Sequence, residues 1–164
     1  MSLGPTNFKI VRGMLGGNLL DFLGYYAYDR ATSTDVMEDV QVPNTPALYD
    51  DPAMRTLLYY FLYDMTEHTG AVLEPTYSYL RVYKKGDVLH RHTDKKVCEY
   101  SVSITLKREQ ADDIWPLCLE TSDVHKVCLE EGDGLIYKGV ENPHWRDKFE
   151  GERLAQVFLH YVRR

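Results

Sequence analysis

The chain has 164 residues, a formal net charge of -6 and a sequence pI of about 5.5. This length fits one domain with a sizeable core, and the acidic balance makes nucleic acid an unfavoured partner. No apolar run is long enough to span a membrane, and the first residues lack the apolar core of a signal peptide, so we expect a cytoplasmic protein.

Helical periodicity marks the first part of the chain. Apolar residues in segment 18–30 recur at helical spacing. A loop with Pro43 and Pro46 follows. Asp51 and Pro52 then predict an N-cap and a first helical position, and this second helix is predicted to run to Gly70. We therefore expect residues 1–72 to form a mostly helical support.

From residue 73 onwards the pattern alternates with a period of two, which is typical of strands. Turn signals separate the predicted strands, which are 73–83, 97–107, 114–120, 124–130, 134–138 and 153–163. Helices followed by many short strands indicate an α+β chain, mainly β, in which residues 73–164 form a jelly-roll or barrel core. Residues 1–164 are thus predicted to be a single domain.

Cysteine usage is sparse. Cys98, Cys118 and Cys128 are odd in number, and no two of them have the spacing of a zinc or redox motif. We expect reduced thiols, which agrees with a reducing compartment.

The residues that carry chemistry begin with His92-Thr93-Asp94. In extended chain, side chains two apart share a face, so both ligands turn to the same side. His144, near the end of the chain, would complete two imidazoles and one carboxylate, a facial set that leaves open positions and suits iron(II) oxygenases. Chance alone gives about 0.5 H-x-D matches in a chain of this composition. The hypothesis of an iron site therefore depends on the residues around the motif.

That context includes several candidate co-substrate residues. Arg153 lies nine residues after His144 and begins the last strand, where a guanidinium could clamp a carboxylate; Arg146 is the alternative. Tyr83 and Tyr79 share a strand face with Arg81. The two tyrosines fit a pocket wall or a core equally well, whereas a buried arginine needs a partner such as a carboxylate ligand.

Four segments together resemble a known family. The run YSYLRVYKKGDVLHRHTD, followed by SVSITL, GDGLIYKGVENPHWR and GERLAQVFLHYV, is similar to the prolyl-4-hydroxylase-like branch of the iron(II)/2-oxoglutarate oxygenases. The resemblance covers roughly residues 77–162. It implies a double-stranded β-helix, the jelly-roll of the cupins, with supporting N-terminal helices.

The resemblance also implies a dioxygenase that uses iron(II), 2-oxoglutarate as co-substrate, and ascorbate as a candidate reductant. His92, Asp94 and His144 would hold the metal. Arg153 would bind the far carboxylate of 2-oxoglutarate, and other pocket residues would complete this site, the candidates being Tyr83, Tyr79, Arg81, Ser103 and Thr105.

Two departures from the family pattern leave the substrate open. Collagen-type relatives have lysine at the place of Arg153, and the tyrosine that relatives carry on the second strand is replaced here by Ser101, Ser103 and Thr105. A peptidyl proline and a small molecule both remain possible substrates, and the oligomeric state is open.

Two other classes also fit the metal motif. One is a non-catalytic jelly-roll module that keeps a metal, and the other is a cupin-type metalloenzyme without 2-oxoglutarate. Neither needs a basic clamp, so Arg153 is the residue that separates them from an oxygenase.

Overall fold

The computed structural model describes residues 3–4, 7–37, 40–110 and 114–164. Within these residues the chain forms three α-helices, a short 3-10 helix at Lys96–Cys98, and ten strands. In chain order these are β1 (Phe8–Val11), α1 (Gly17–Arg30), β2 (Ala47–Tyr49), α2 (Pro52–Tyr60), α3 (Leu62–Thr69), β3 (Leu73–Lys84), β4 (Leu89–His92), β5 (Tyr100–Glu109), β6 (Leu117–Glu120), β7 (Val124–Val127), β8 (Gly134–Tyr137), β9 (His144–Arg146) and β10 (Arg153–Arg163).

The strands form two antiparallel sheets. The larger sheet has the order β1-β8-β5-β10-β3-β2, and the smaller has the order β4-β9-β6-β7. Side chains of the two sheets meet in one apolar cluster, so the sheets face each other as in a jelly-roll. The predicted α+β, mainly β architecture is confirmed.

The larger sheet has two different faces. Its outer face packs against the helices in a large apolar cluster, which includes Leu80, Ile104 and Val157 from the strands and Leu23 and Leu58 from the helices. Its inner face meets the smaller sheet and carries both apolar and polar side chains. The helices therefore stabilise the sheet from outside, and the interior between the sheets is left for the site.

Local signals for the helices are largely confirmed. Asp51 accepts hydrogen bonds from the backbone nitrogens of Ala53 and Met54, and Gly70 ends the last helix in a left-handed conformation with φ of 69°. The single helix predicted from Pro52 to Gly70 is wrong in one respect. It is interrupted at Phe61, whose side chain is 2% exposed in the outer cluster and whose φ and ψ of -87° and 1° leave the helical range.

The long strands were predictable, but the short ones were not. The predicted strand 153–163 coincides with β10, whereas the strand predicted from residue 97 begins only at Tyr100, because the 3-10 helix precedes it. Four strands were not predicted at all, namely β1, β2, β4 and β9. Each has three or four residues, too few to show a period of two.

Two further expectations concern thiols and membranes. The three cysteines are free, and Cys98 and Cys118 are buried while Cys128 is exposed. No helix in the described part of the chain is long and apolar enough to cross a membrane.

The outer cluster gives a stability prediction. Leu80 is fully buried between the sheet and the helices, and Leu19 on α1 is 44% exposed. We expect Leu80→Ala to lower the free energy of unfolding by about 2–5 kcal/mol, because it leaves a cavity, and Leu19→Ala to lower it by less than about 1 kcal/mol. Urea unfolding checks this, and equal losses in the two variants would contradict the assigned core.

Candidate metal centre

Three side chains from two neighbouring strands and the loop after β4 converge at one end of the interior. His92 and His144 face each other as cross-strand partners of β4 and β9, and Asp94 follows β4. Asp94 Oδ1 lies 3.6 Å from His92 Nε2 and 3.5 Å from His144 Nε2. One donor atom from each residue lies within 4.8 Å of the others, a spacing that suits ligands about 2 Å from a shared metal.

The backbone fixes which nitrogen of each histidine faces this centre. His92 Nδ1 lies 2.8 Å from the carbonyl oxygen of His90, and His144 Nδ1 lies 2.9 Å from that of Asn142. Each Nδ1–H can donate to its carbonyl, which leaves the lone pair of Nε2 for a metal.

Asp94 is held as a carboxylate. Burial acts to raise its pKa, but the hydrogen bonds with His144 and His92 outweigh burial and keep the pKa below its usual range. The same contact acts on His92: burial lowers its pKa, the hydrogen bond with Asp94 raises it, and the net shift is upward.

The Asp94 side chain packs against the backbone of Gly139. The backbone nitrogen of Asp94 donates to the carbonyl of Gly139 at 2.9 Å, and a Cβ added at Gly139 would lie only 1.9 Å from Asp94 Oδ2. A side chain at position 139 would therefore overlap the Asp94 carboxylate, so the orientation of that carboxylate depends on glycine at this position.

A serine and a buried histidine approach the same carboxylate from the larger sheet. Ser101 Oγ lies 3.5 Å from Asp94 Oδ2 and 2.8 Å from Nδ1 of His160. When His160 carries its proton on Nδ1, it donates to Ser101, whose hydroxyl hydrogen then points to Asp94. Burial lowers the pKa of His160 to about 4, so the imidazole is neutral at physiological pH.

A cavity of about 680 Å³ opens beside the three side chains. Tyr49 and Tyr77 stack on one wall with ring centroids 4.8 Å apart, and the ring of Tyr77 also contacts His160. Tyr137 and Phe158 border the inner end. The three side chains therefore border a cavity that could hold a ligand, and aromatic rings line part of its wall.

Arg153 is not at this cavity. Its side chain is 45% exposed, its Nε donates to Glu109 at 2.6 Å, and its guanidinium lies over the ring of Tyr28 on α1. On β10, Arg153 shares the face of Ala155 and Val157, which pack against the helices. The predicted clamp role does not agree with this position.

The predicted residues Tyr83, Ser103 and Thr105 are buried but do not border the cavity. Gln156 of β10 forms hydrogen bonds with both hydroxyl groups. Its Nε2 donates to Ser103 Oγ at 2.7 Å, and its Oε1 accepts from Thr105 Oγ1 at 2.9 Å. Tyr83 packs edge-on against Trp115.

Arg81 and Tyr79 do border the cavity. Arg81 is 3% exposed, donates from Nη1 to the Tyr83 hydroxyl at 3.2 Å, and lies 5.2 Å from the centroid of the Tyr79 ring. Arg146, the alternative clamp, is also buried, close to Trp115. Two arginines therefore lie in the interior, and neither is the one favoured by spacing.

Sequence reasoning missed several residues around the centre, including His160 and Gly139. His160 lies within the predicted strand 153–163, and the period of two along β10 places it with Phe158 and Gln156 on one face. That face could have been recognised as a polar one, but its orientation towards Asp94 could not.

No family model and no curated protein matches the sequence. Solved structures do match. A Pseudomonas putida prolyl-4-hydroxylase has a TM-score of 0.82 at 17% identity and covers 99% of this chain and 95% of its own. HygX from Streptomyces hygroscopicus, with nickel, 2-oxoglutarate and hygromycin B bound, has a TM-score of 0.75 at 16% identity over 98% and 84%. A Trichoplax adhaerens prolyl hydroxylase, bound to a hypoxia-inducible-factor peptide, has a TM-score of 0.75 at 14% identity over 98% and 87%.

The chain therefore has the fold of the 2-oxoglutarate/iron(II) oxygenases, and prolyl-4-hydroxylases are among the structures that it resembles. The resemblance inferred from the sequence is confirmed at the level of the fold.

The contact between Asp94 and Gly139 gives a second prediction. Gly139→Ala should weaken metal binding by about 10- to 100-fold, because the new methyl group displaces the carboxylate. Anaerobic titration with Co(II) measures this. Gly16→Ala is the matched control, since a Cβ there meets nothing within 4 Å. Unchanged affinity in Gly139→Ala would contradict the positioning role.

The buried His160 gives a third prediction. Its pKa is about 4 in the fold and about 6.5 in an unfolded chain, so the unfolded state binds more protons between these values. The free energy of unfolding of the metal-free protein should fall as the pH drops from about 6.5 to about 4, by on the order of 3 kcal/mol. His160→Gln should lose this part of the slope in urea unfolding at a series of pH values. Parallel profiles for the two proteins would refute the assignment.

Proposed function

We propose that this chain is an iron(II)- and 2-oxoglutarate-dependent dioxygenase that hydroxylates an organic substrate. The observation that carries the proposal is the convergence of His92, Asp94 and His144 in the lining of a cavity. Two imidazole nitrogens and one carboxylate oxygen beside a cavity are a donor set that suits iron(II). The shared fold supports the same reading.

When bound, iron and 2-oxoglutarate would supply the oxidising chemistry, in which decarboxylation of the co-substrate is coupled to hydroxylation. The residues of the chain supply geometry and a dry site. His90 and Asn142 carbonyls orient the two imidazoles, Gly139 and Ser101 orient Asp94, and the aromatic walls restrict access of water.

The position of Arg153 removes the feature that separated an oxygenase from a plain metal-binding module. A cation still borders the cavity, because Arg81 is buried and is one of its lining residues, whereas Arg146 is buried but does not line it. A buried guanidinium stays charged and favours an anion as its neighbour. This interior charge supports 2-oxoglutarate as the co-substrate.

The residues at the rim of the cavity indicate what kind of substrate it could accept. Met37, Tyr49 and Val97 border the opening and are each close to half exposed or more. Such an apolar rim suits a substrate that presents an apolar group to the metal. A peptidyl proline and a small molecule both meet this condition, and the relatives bound to a peptide and to hygromycin B illustrate both kinds.

Ascorbate as reductant and a cytoplasmic location also belong to the proposal. The buried free thiols of Cys98 and Cys118 support a reducing compartment.

Anaerobic titration with iron(II) and then 2-oxoglutarate tests the function. We expect stoichiometric iron binding, followed by a weak visible charge-transfer band from the chelate. His92→Ala and His144→Ala should lower iron affinity by at least about a hundredfold, because each removes a ligand rather than a supporting contact. His125→Ala, a half-buried histidine away from the cavity, is the control and should bind as the wild type does.

Iron binding without the band on addition of 2-oxoglutarate would favour a cupin-type metalloprotein. Absence of iron binding in the wild type would reject the metal centre itself.

A further inference from the structure

The imidazole of His160 uses only one of its two ring nitrogens within the described part of the chain. Its Nδ1 lies 2.8 Å from Ser101 Oγ. Its Nε2 forms no hydrogen bond with the described residues, and it is not among the fully enclosed side-chain atoms that lack a partner, although the residue is only 6% exposed. Because His160 lines the cavity of the candidate metal centre, this nitrogen is accessible to a ligand in that cavity.

The strand register places His160 close to the candidate metal ligands. His160 of β10 pairs with Ser101 of β5, and Ser101 pairs with Tyr137 of β8. The ring of Tyr137 meets the ring of His144 edge-on, with centroids 5.0 Å apart. A row of three paired residues therefore runs across the larger sheet to the candidate centre, so a molecule bound beside His144 can also reach His160.

The carboxylate of Asp94 decides which nitrogen of His160 carries the hydrogen. Among the described residues, the hydroxyl of Ser101, 3.5 Å away, is the side-chain donor to Asp94 Oδ2. A hydroxyl has one hydrogen, so if Ser101 donates to Oδ2, its oxygen must accept from His160 Nδ1–H. Leaving a buried carboxylate oxygen without a donor costs more than leaving a neutral ring nitrogen without one, and this favours the tautomer with the hydrogen on Nδ1.

In this tautomer Nε2 has a lone pair and no hydrogen, so it is an acceptor. Burial lowers the pKa of His160 to about 4, and the ring therefore stays neutral near pH 7. The wall beside it is aromatic, since the Tyr77 ring centroid lies 4.7 Å from that of the imidazole. A ligand that covered Nε2 without offering an N–H or O–H group would leave a buried acceptor unpaired, which costs binding free energy.

We propose that His160 Nε2 recognises the substrate, by accepting a hydrogen bond from an N–H or O–H group that lies close to the C–H bond to be oxidised. This inference rests on the proposed function and narrows its substrate class. The ring of a peptidyl proline has no N–H and cannot donate to His160. The contact therefore favours a small molecule that carries an amide or a hydroxyl group.

The tautomer can be measured by ¹⁵N NMR of the histidine side chains. Zinc(II) is a suitable metal for this experiment, because it binds imidazole and carboxylate ligands and has no redox chemistry. We expect His160 to carry its hydrogen on Nδ1 in the zinc-loaded protein, and the signals that disappear in His160→Phe assign the residue. A hydrogen on Nε2 in the wild type would overturn the proposal.

A matched pair of lactams tests the recognition itself. 2-Pyrrolidinone and N-methyl-2-pyrrolidinone differ only in the replacement of N–H by N–CH₃. The zinc-loaded wild type should bind 2-pyrrolidinone roughly 3- to 10-fold more tightly than the methylated lactam, as expected for one net hydrogen bond, and the His160 Nε2 signal should shift on binding.

Two variants show whether His160 causes this preference. His160→Phe keeps a ring beside Tyr77 but removes the acceptor, so it should bind the two lactams with equal affinity. His125→Phe is the matched control, because His125 does not line the cavity, and it should keep the preference of the wild type. The ratio of the two affinities is insensitive to a general loss of packing, which weakens both lactams alike.

The outcomes separate this inference from the proposed function. Equal binding of the lactams by the wild type, no binding of either, or an unchanged preference in His160→Phe would overturn the role of His160. If instead the preference depends on His160, while iron(II) and 2-oxoglutarate produce no charge-transfer band, His160 is a recognition residue and the proposed dioxygenase function fails.

Discussion

The pairing of β4 with β9 is the constraint on which the candidate metal centre depends. It sets His92 opposite His144, although the two residues are far apart in the chain. The register shifts between Leu89 and His92, so the pair forms at an irregular point of the ladder. Asp94 then leaves the strand, its backbone nitrogen donates to the carbonyl of Gly139, and its carboxylate lies where a side chain at Gly139 would be. The donor set is thus a product of strand register and one missing side chain.

The two faces of the larger sheet have different roles. One face packs against the helices and stabilises the fold, and the other carries the polar residues of the candidate site. The outer face is apolar and is covered by the helices, so it supplies most of the hydrophobic burial. The inner face can then carry Ser101, Gln156, His160 and Arg81, all buried, at some cost in free energy. Such polar burial is tolerated because hydrogen bonds satisfy it in part and because the helix-covered face stabilises the same strands.

Much of the secondary structure could be predicted from local patterns. The N-cap at Asp51, the left-handed end at Gly70 and the extent of β10 all follow from residue type and period. The short strands β4 and β9 could not be predicted, because three or four residues give no measurable period and their pairing depends on partners elsewhere. These two strands carry His92 and His144, two of the three proposed metal ligands, so the strands that position the candidate site could not be recognised from the sequence.

The sequence by itself predicted the candidate ligands, because a histidine and an aspartate two residues apart, with a later histidine, are a donor pattern that suits iron(II), whereas their convergence is shown only by the structure. It could not decide which arginine faces the interior. Arg153 has the favoured spacing, yet it shares a strand face with Ala155 and Val157, and both faces of β10 contain apolar residues, so the pattern does not say which one meets the helices. Only the tertiary structure decided this, because a difference of one residue turns a strand side chain from one face of the sheet to the other.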